Sequence, residues 1–180
     1  FLGDRTEANA NMKFPSKLLF SVDQKVNDKW DALASIFHTN WGQLQNLVIN
    51  NTSGGGLNPP GPQIINLHYK DTNLYSVGAL YHYSKQLTLS AGLGRDISPV
   101  QDGYRDLRMP DTDRTDIGLG LAYQLDKNSS FDLSFQKVIF KTANVDDSKR
   151  RPIQPQLPTV TGQAKTNASI IAFAYNRTFA

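Results

Sequence analysis

Along residues 117–125 every second position is apolar: Ile117, Leu119, Leu121, Tyr123 and Leu125 alternate with Gly118, Gly120, Ala122 and Gln124. After a short break the alternation returns at Phe131, Leu133 and Phe135, interleaved with Asp132, Ser134 and Gln136. A period of two places the two sets on opposite faces of a strand. The same rhythm, enriched in Val, Ile, Tyr, Phe and Thr, predicts strands over 16–26, 29–48, 64–84, 87–97, 112–125, 129–145 and 162–179. These seven segments are far longer than the roughly 5–6 residues usual for strands of globular proteins.

The connections have their own rhythm. Asn27-Asp28, Ser84-Lys85-Gln86 and Asp126-Lys127-Asn128 read as tight turns, whereas 50–63, 98–111 and 146–161 are long and rich in Gly, Pro and Asp. Short and long alternate, so an up-and-down meander has every tight turn at one end and every long loop at the other. Outer-membrane barrels are laid out this way, with short periplasmic turns and long extracellular loops. Trp30, Tyr81, Tyr83, Tyr123 and Phe131 all fall close to tight turns. That placement predicts an interfacial aromatic girdle; the plainer alternative is that aromatics favour strands.

In a barrel of this kind Ile117–Leu125 and Phe131–Phe135 face lipid, while Gly118, Gly120, Asp132, Ser134 and Gln136 face a lumen. Leu87, Leu89, Ala91 and Leu93 read as outward too, as do Ile171, Phe173 and Tyr175. Lys137 breaks the outward pattern, and a mid-bilayer Lys costs about 2–4 kcal/mol. The expectation is therefore a bulge that turns Val138 and Phe140 outward instead.

Composition narrows the alternatives. The 180 residues are 39% hydrophobic, and no run of about 18 apolar residues exists to make a helical span. A net charge of +3, scattered along the chain, gives no nucleic-acid surface. Without cysteine there are no disulfides and no thiolate metal sites. His38, His68 and His82 fall on separate strands with no metalloprotease spacing, and no nucleophile elbow is present. The reading is a non-enzyme with no metal and no cofactor. The opening FLGDRTEANA, lacking Met and any signal core, reads as a processed chain or a fragment.

Four stretches carry a family resemblance: HTNWGQLQNL (38–47), GRDISPV (94–100), MPDTDRTDIGLGLAYQL (109–125) and SIIAFAYNRTF (169–179). In order and spacing the chain resembles the C-terminal half of the FadL family, outer-membrane transporters of long-chain fatty acids and aromatic hydrocarbons. PDTDR at the mouth of a strand is the most specific piece. The resemblance implies an all-β, antiparallel, up-and-down transmembrane barrel of about fourteen strands, plugged by an N-terminal hatch. Residues 1–180 would supply about seven of those strands, as the C-terminal part of a single barrel domain. The hatch and first strands would lie in another segment, because seven strands alone leave two unpaired edges in the bilayer.

The resemblance further implies passive uptake, with a lumen pocket and lateral release into the membrane. It also implies recognition of the closing strand by the barrel-assembly machinery. Burying an acyl chain is favourable by about 0.8 kcal/mol per CH₂, so the pocket needs greasy walls and one cation for a carboxylate. Candidate walls are Phe37, Trp41 and Tyr69, and candidate cations His68, Lys70 and Arg114; a girdle or rim role is the alternative for each. Asp96 and Arg114 share inward parity on neighbouring strands and are expected to form a structural, lumen-facing ion pair. Lys149-Arg150-Arg151 is a candidate contact for lipopolysaccharide phosphates, with a solvated loop as the alternative. Two other function classes stay open here: a structural or adhesion barrel, and a soluble lipocalin-like lipid binder.

Overall fold

A computed structural model describes residues 8–51, 61–149 and 159–179. The middle of the 50–63 loop, Arg150 and Arg151 of the basic run, and Ala180 lie outside the described residues. The chain forms β1 (Ala8–Asn11), β2 (Lys17–Lys25), β3 (Trp30–Thr39), β4 (Asn46–Asn51), β5 (Gly61–Asn66) and β6 (Thr72–His82). It continues through β7 (Leu87–Asp96), β8 (Arg114–Gln124), β9 (Ser129–Phe140), β10 (Ala143–Asp146), β11 (Thr161–Ala164) and β12 (Asn167–Arg177). Seven of these make one antiparallel sheet in the order β12-β9-β8-β7-β6-β3-β2. Neighbours in that sheet are joined by the next stretch of chain, as a meander requires.

Four expected strands are too long. The segments 29–48, 64–84, 129–145 and 162–179 each divide into a strand of the large sheet and a short strand beyond it. A 3-10 turn at Trp41–Gln43 ends β3, and β4 then pairs with β5 and β1 in a separate sheet. Likewise β10 pairs with β11. The alternation runs on through these breaks because the short hairpins are themselves strands, so periodicity alone could not reveal the change of partner. The strands left in the large sheet run from 9 to 12 residues. Crossing a bilayer takes about 9–11 tilted residues.

The three tight turns use one device. Asn27 Oδ1 accepts from the N–H groups of Lys29 and Trp30, at 2.9 and 3.1 Å. Ser84 Oγ accepts from Gln86 and Leu87, at 3.2 and 3.1 Å, and Asp126 Oδ1 accepts from Asn128 at 2.8 Å. Each short side chain stands in for the backbone acceptor of a turn. The Asn128 N–H is also the main reason the exposed Asp126 carboxyl is held below its ordinary range.

The cross-strand register sorts the faces. Phe173, Leu133, Leu121, Leu89, Tyr81 and Trp30 lie in one ladder row, and Ile171, Phe135, Leu119 and Ala91 in the next. This face is apolar and exposed: Leu119 is 56% exposed, Val77 59% and Ile171 74%. The opposite face carries Ser90, Gly120 and Ser134 in one row, and Gly92, Gly118 and Gln136 in another. A soluble sheet would bury the first face, and the exposure of so large an apolar surface argues for lipid against it. Among the described residues the buried apolar ones gather at the loop end instead, with Leu44, Leu67, Val100, Ala143 and Val145 packed beneath the connections.

Lys137 requires a correction. No bulge interrupts β9: the pairing runs unbroken from Arg114↔Phe140 to Gln124↔Ser130, which keeps Val138 and Phe140 on the polar face. Lys137 stays on the apolar face and donates to Ser169 Oγ at 3.0 Å. Tilt explains the arrangement. One row joins Phe20, Ile36, Tyr75, Arg95, Thr115, Ile139 and Asn167, apolar from β2 to β6 and mainly polar from β7 on, with Ile139 the exception. Strands inclined to the membrane normal shift the band in this way. On β9 the exposed Ile139 follows Lys137 on the same face, so Lys137 stands within the loop-side margin of the band, where apolar and polar side chains mix.

Candidate functional site

At the loop end of the polar face lies a cavity of about 450 Å³. Phe37, Trp41, Tyr69, Leu74, Val100 and Met109 supply its apolar walls, and Lys17 and Arg114 its cations. Phe37 and Leu74 share a ladder row with Asp96 and Arg114, so adjacent strands deliver them to one place.

The stretch after β3 is built to present Trp41. The Gly42 N–H donates to Asp71 Oδ1 at 2.7 Å, and a Cβ at Gly42 would sit 2.9 Å from that oxygen. A larger residue there would push the Asp71 carboxylate aside and disturb this bond. Gln45 then ties both sides of the cavity together. Its side-chain amide donates to Gly42 O at 2.6 Å and Tyr69 O at 3.1 Å, and its backbone carbonyl accepts from the N–H groups of Leu67 and His68, at 2.7 and 2.9 Å. Trp41 and Tyr69 meet edge to face with centroids 5.9 Å apart. The spaced Gln and Trp of 38–47 thus form a clamp.

Arg114 Nη2 donates to Asp96 and Nη1 donates to Asp111 at 3.3 Å, while the guanidinium stands 5.8 Å from the Phe140 ring centroid. Lys17 differs. Its Nζ lies 5.6 Å from the Phe37 centroid, and among the described residues no carboxylate reaches it. It is the cation left available to a ligand. Pairing β2 with β3 around the Asn27 turn sets Lys17 opposite Thr39, and that register was the signal that could have found it in the sequence.

The structure divides the other candidates. Lys70, next to Tyr69, lines a second cavity of about 400 Å³ with Asp113 and Lys141. His68 lines neither cavity. It holds φ at 45°, a left-handed conformation uncommon for histidine, with its ring 4.8 Å from that of Tyr104 and its carbonyl accepting from Gln101. At the turn end Trp30 and Tyr81 lie 4.6 Å apart, Tyr81 and Tyr83 6.4 Å, and Tyr123 and Phe131 5.4 Å. Phe173 extends this group, 6.2 Å from Phe131.

Between the two cavities runs a charged seam. Asp113 accepts from Arg95 and Lys141, both at 3.0 Å, and from the Ser98 N–H at 3.1 Å. Burial pushes its carboxyl up, but these donors and charges outweigh it and hold the group below the ordinary carboxylate range. Above it, Arg105 is buried and donates to Asp102 Oδ1 and the carbonyls of Asp111, Asn144 and Val100, at 2.7, 2.9, 2.9 and 3.1 Å. One guanidinium thereby pins the 97–113 connection to β10. Sequence reasoning missed it, since loop residues carry no period.

The model of the outer membrane protein transport family (OMPP1/FadL/TodX) matches residues 1–179. The long-chain fatty acid transport protein of Escherichia coli K12 is 31% identical over 124 residues, 68% of this chain and 26% of that protein. Outer membrane protein P1 of Haemophilus influenzae is 28% identical over 166 residues, 89% of this chain and 35% of that protein. The chain therefore spans about a quarter to a third of the length of these curated relatives. Among solved structures, a Pseudomonas aeruginosa FadL homologue superposes with a TM-score of 0.79 at 23% identity, covering 94% of this chain and 37% of that one. The Pseudomonas putida toluene transporter TodX gives 0.61 at 21%, covering 96% and 37%.

Proposed function

Since the chain belongs to the OMPP1/FadL/TodX family of outer membrane transport proteins, we propose that it forms the C-terminal part of a passive channel for hydrophobic compounds. The observation that carries this reading is the loop-end cavity: an apolar enclosure on the polar face of a wall whose other face suits lipid. A long-chain fatty acid fits it best. The acyl chain packs on Phe37, Trp41 and Leu74, and the carboxylate meets Lys17, since Arg114 is already held by Asp96 and Asp111. Aromatic hydrocarbons would use the walls alone. Lateral release into the membrane follows from the same reading, with no energy source required.

β2 and β12, the outer strands of the sheet, would pair with further strands of the same barrel, whose remaining part also supplies the hatch. The closing strand β12 would be the segment read by the barrel-assembly machinery, and the aromatic cluster at the turn end would sit at the periplasmic interface. Outer-membrane lipid and lipopolysaccharide then surround the wall. A structural barrel has no use for an apolar cavity with an available ammonium, and a lipocalin-like binder would turn its apolar face inward.

The test is fluorescence of Trp41 in the complete barrel, with other tryptophans replaced by Phe, titrated with a long-chain fatty acid and separately with toluene. Both ligands are expected to change the signal. Lys17→Gln should weaken the fatty acid about 2- to 5-fold, the scale of one partly exposed ion pair, and leave toluene unchanged. No response to either ligand would end the proposal.

A further inference from the structure

The apolar face ends at the loop side in a margin of cations. Lys137, Arg95 and Lys141 have the same parity as Phe135, Leu93 and Ile139, so they project on the lipid side of the wall and not into the lumen. Below them the face is hydrocarbon-like: Leu93 is 55% exposed and Phe135 39%. Above them opens the second cavity, of about 400 Å³, lined by Lys70, Thr112, Asp113, Lys141, Thr142 and Asn144. Asp113 is the carboxylate that Arg95 and Lys141 share, each at 3.0 Å. Asp102, also at this cavity, pairs with Arg105 at 2.7 Å. Lys137 donates to a hydroxyl, Ser169 Oγ, at 3.0 Å, and among the described residues no carboxylate pairs with it. Lys70, Arg95, Lys137 and Lys141 thus face a single carboxylate not taken up by Arg105, namely Asp113, and the excess is positive.

The geometry points to a binding site for the phosphate groups of the outer leaflet's phosphorylated glycolipid, lipopolysaccharide, formed by Lys137, Arg95 and Lys141 with the Lys70 cavity above them. The apolar band takes the acyl chains, the cation margin lies where the headgroups begin, and the hydroxyl-lined cavity has room for phosphate and sugar. Lys137 lies on β9 and Lys141 just past its end, four residues on, about 13 Å at the usual rise. That separation spans a bulky headgroup carrying more than one phosphate, which a single free phosphate cannot do. Arg95 adds a planar donor suited to phosphate oxygens. The inference rests on the outer-membrane placement of the wall and is independent of what the lumen cavity carries.

The experiment is thermal unfolding of the complete barrel in neutral detergent, with purified lipopolysaccharide, zwitterionic phosphatidylcholine or inorganic phosphate added. The midpoint is expected to rise with lipopolysaccharide, and the rise to fall by at least half in Lys137→Gln/Lys141→Gln. Lys137→Arg/Lys141→Arg should retain it. Inorganic phosphate at millimolar concentration should shift neither protein. An equal rise in wild type and the Gln variant, or an equal rise with phosphatidylcholine, overturns the proposal, as does full replacement of the effect by inorganic phosphate. Should the double variant fail to assemble, Lys137→Gln alone carries the test, since its side chain gives up one exposed bond to Ser169. Fatty-acid titration of the lumen cavity, run in parallel, is expected to be the same in wild type and Lys137→Gln, whose side chain touches neither cavity, which separates this proposal from the transport reading.

Discussion

Arg114 stands directly across the β7–β8 ladder from Asp96, and its second nitrogen reaches Asp111 at 3.3 Å. One guanidinium therefore joins the last residue of β7, the first of β8 and the connection between them. Both carboxylates are largely buried, with side chains 17% and 22% exposed. Arg114→Ala leaves two desolvated carboxylates without their cation and is expected to cost about 1–3 kcal/mol. The loss should appear as a lower thermal midpoint of the complete barrel. Asp96→Asn combined with Arg114→Gln should cost less than the sum of the two single changes, and a strictly additive cycle would show that the pair is not coupled.

The seam around Asp113 predicts a pH dependence. Its folded carboxyl is held below the ordinary range by Lys141, Ser98 and Arg95 despite the opposing effect of burial. A depressed folded value contributes stability that is fully present above the unfolded value of about 4, and that is lost as pH falls through the folded one. The 97–113 connection should thus become sensitive to an acid protease only below about pH 4. Asp113→Asn should loosen it already at neutral pH and remove the acid step.

Arg105 predicts a local failure instead of a global one. Lysine cannot reproduce a fork that donates to Asp102 and to three carbonyls. Arg105→Lys is expected to cost about 2–3 kcal/mol, confined to the loop-end layer. Limited proteolysis should cut within 98–111, while the strands keep their wild-type melting. Fatty-acid affinity should fall as well, because Val100 and Met109 of this connection line the lumen cavity.

How much of this was legible in the sequence depended on range. The alternation at Ile117–Leu125 is local, and it correctly divides β8 into an apolar and a small or polar face. The equal distance of Asp96 and Arg114 from the middle of their loop places them in one rung. The ends of β3 and β6 were hidden, because Leu47, Ile49 and Ile65 keep the rhythm while pairing in another sheet. Lys137 was misjudged because tilt belongs to the sheet and cannot be seen in one strand. Tyr69 and Lys70, grouped as neighbours in sequence, separate into different cavities. Lys17 becomes visible only once β2 is folded back on β3, and Arg105 only once contacts 39 residues apart are made.

The inverted arrangement of faces yields the most direct test. Leu119 and Gly118 are adjacent in β8 yet face different media: Leu119 is 56% exposed on the apolar side, and an added Cβ at Gly118 would meet nothing within 4 Å on the other. In a soluble protein an Arg at a position as exposed as Leu119 would cost little. In a bilayer the charge must leave water, at about 2–4 kcal/mol near the midplane. Leu119→Arg is therefore expected to lower the stability of the complete barrel in lipid vesicles by that amount, whereas Gly118→Ser, which only adds a hydroxyl to a wet surface, should change it by less than about 1 kcal/mol. Urea titration of vesicle-inserted protein measures both. A neutral Leu119→Arg would mean that this face does not meet hydrocarbon, and the assignment of lumen and lipid sides would have to be reversed.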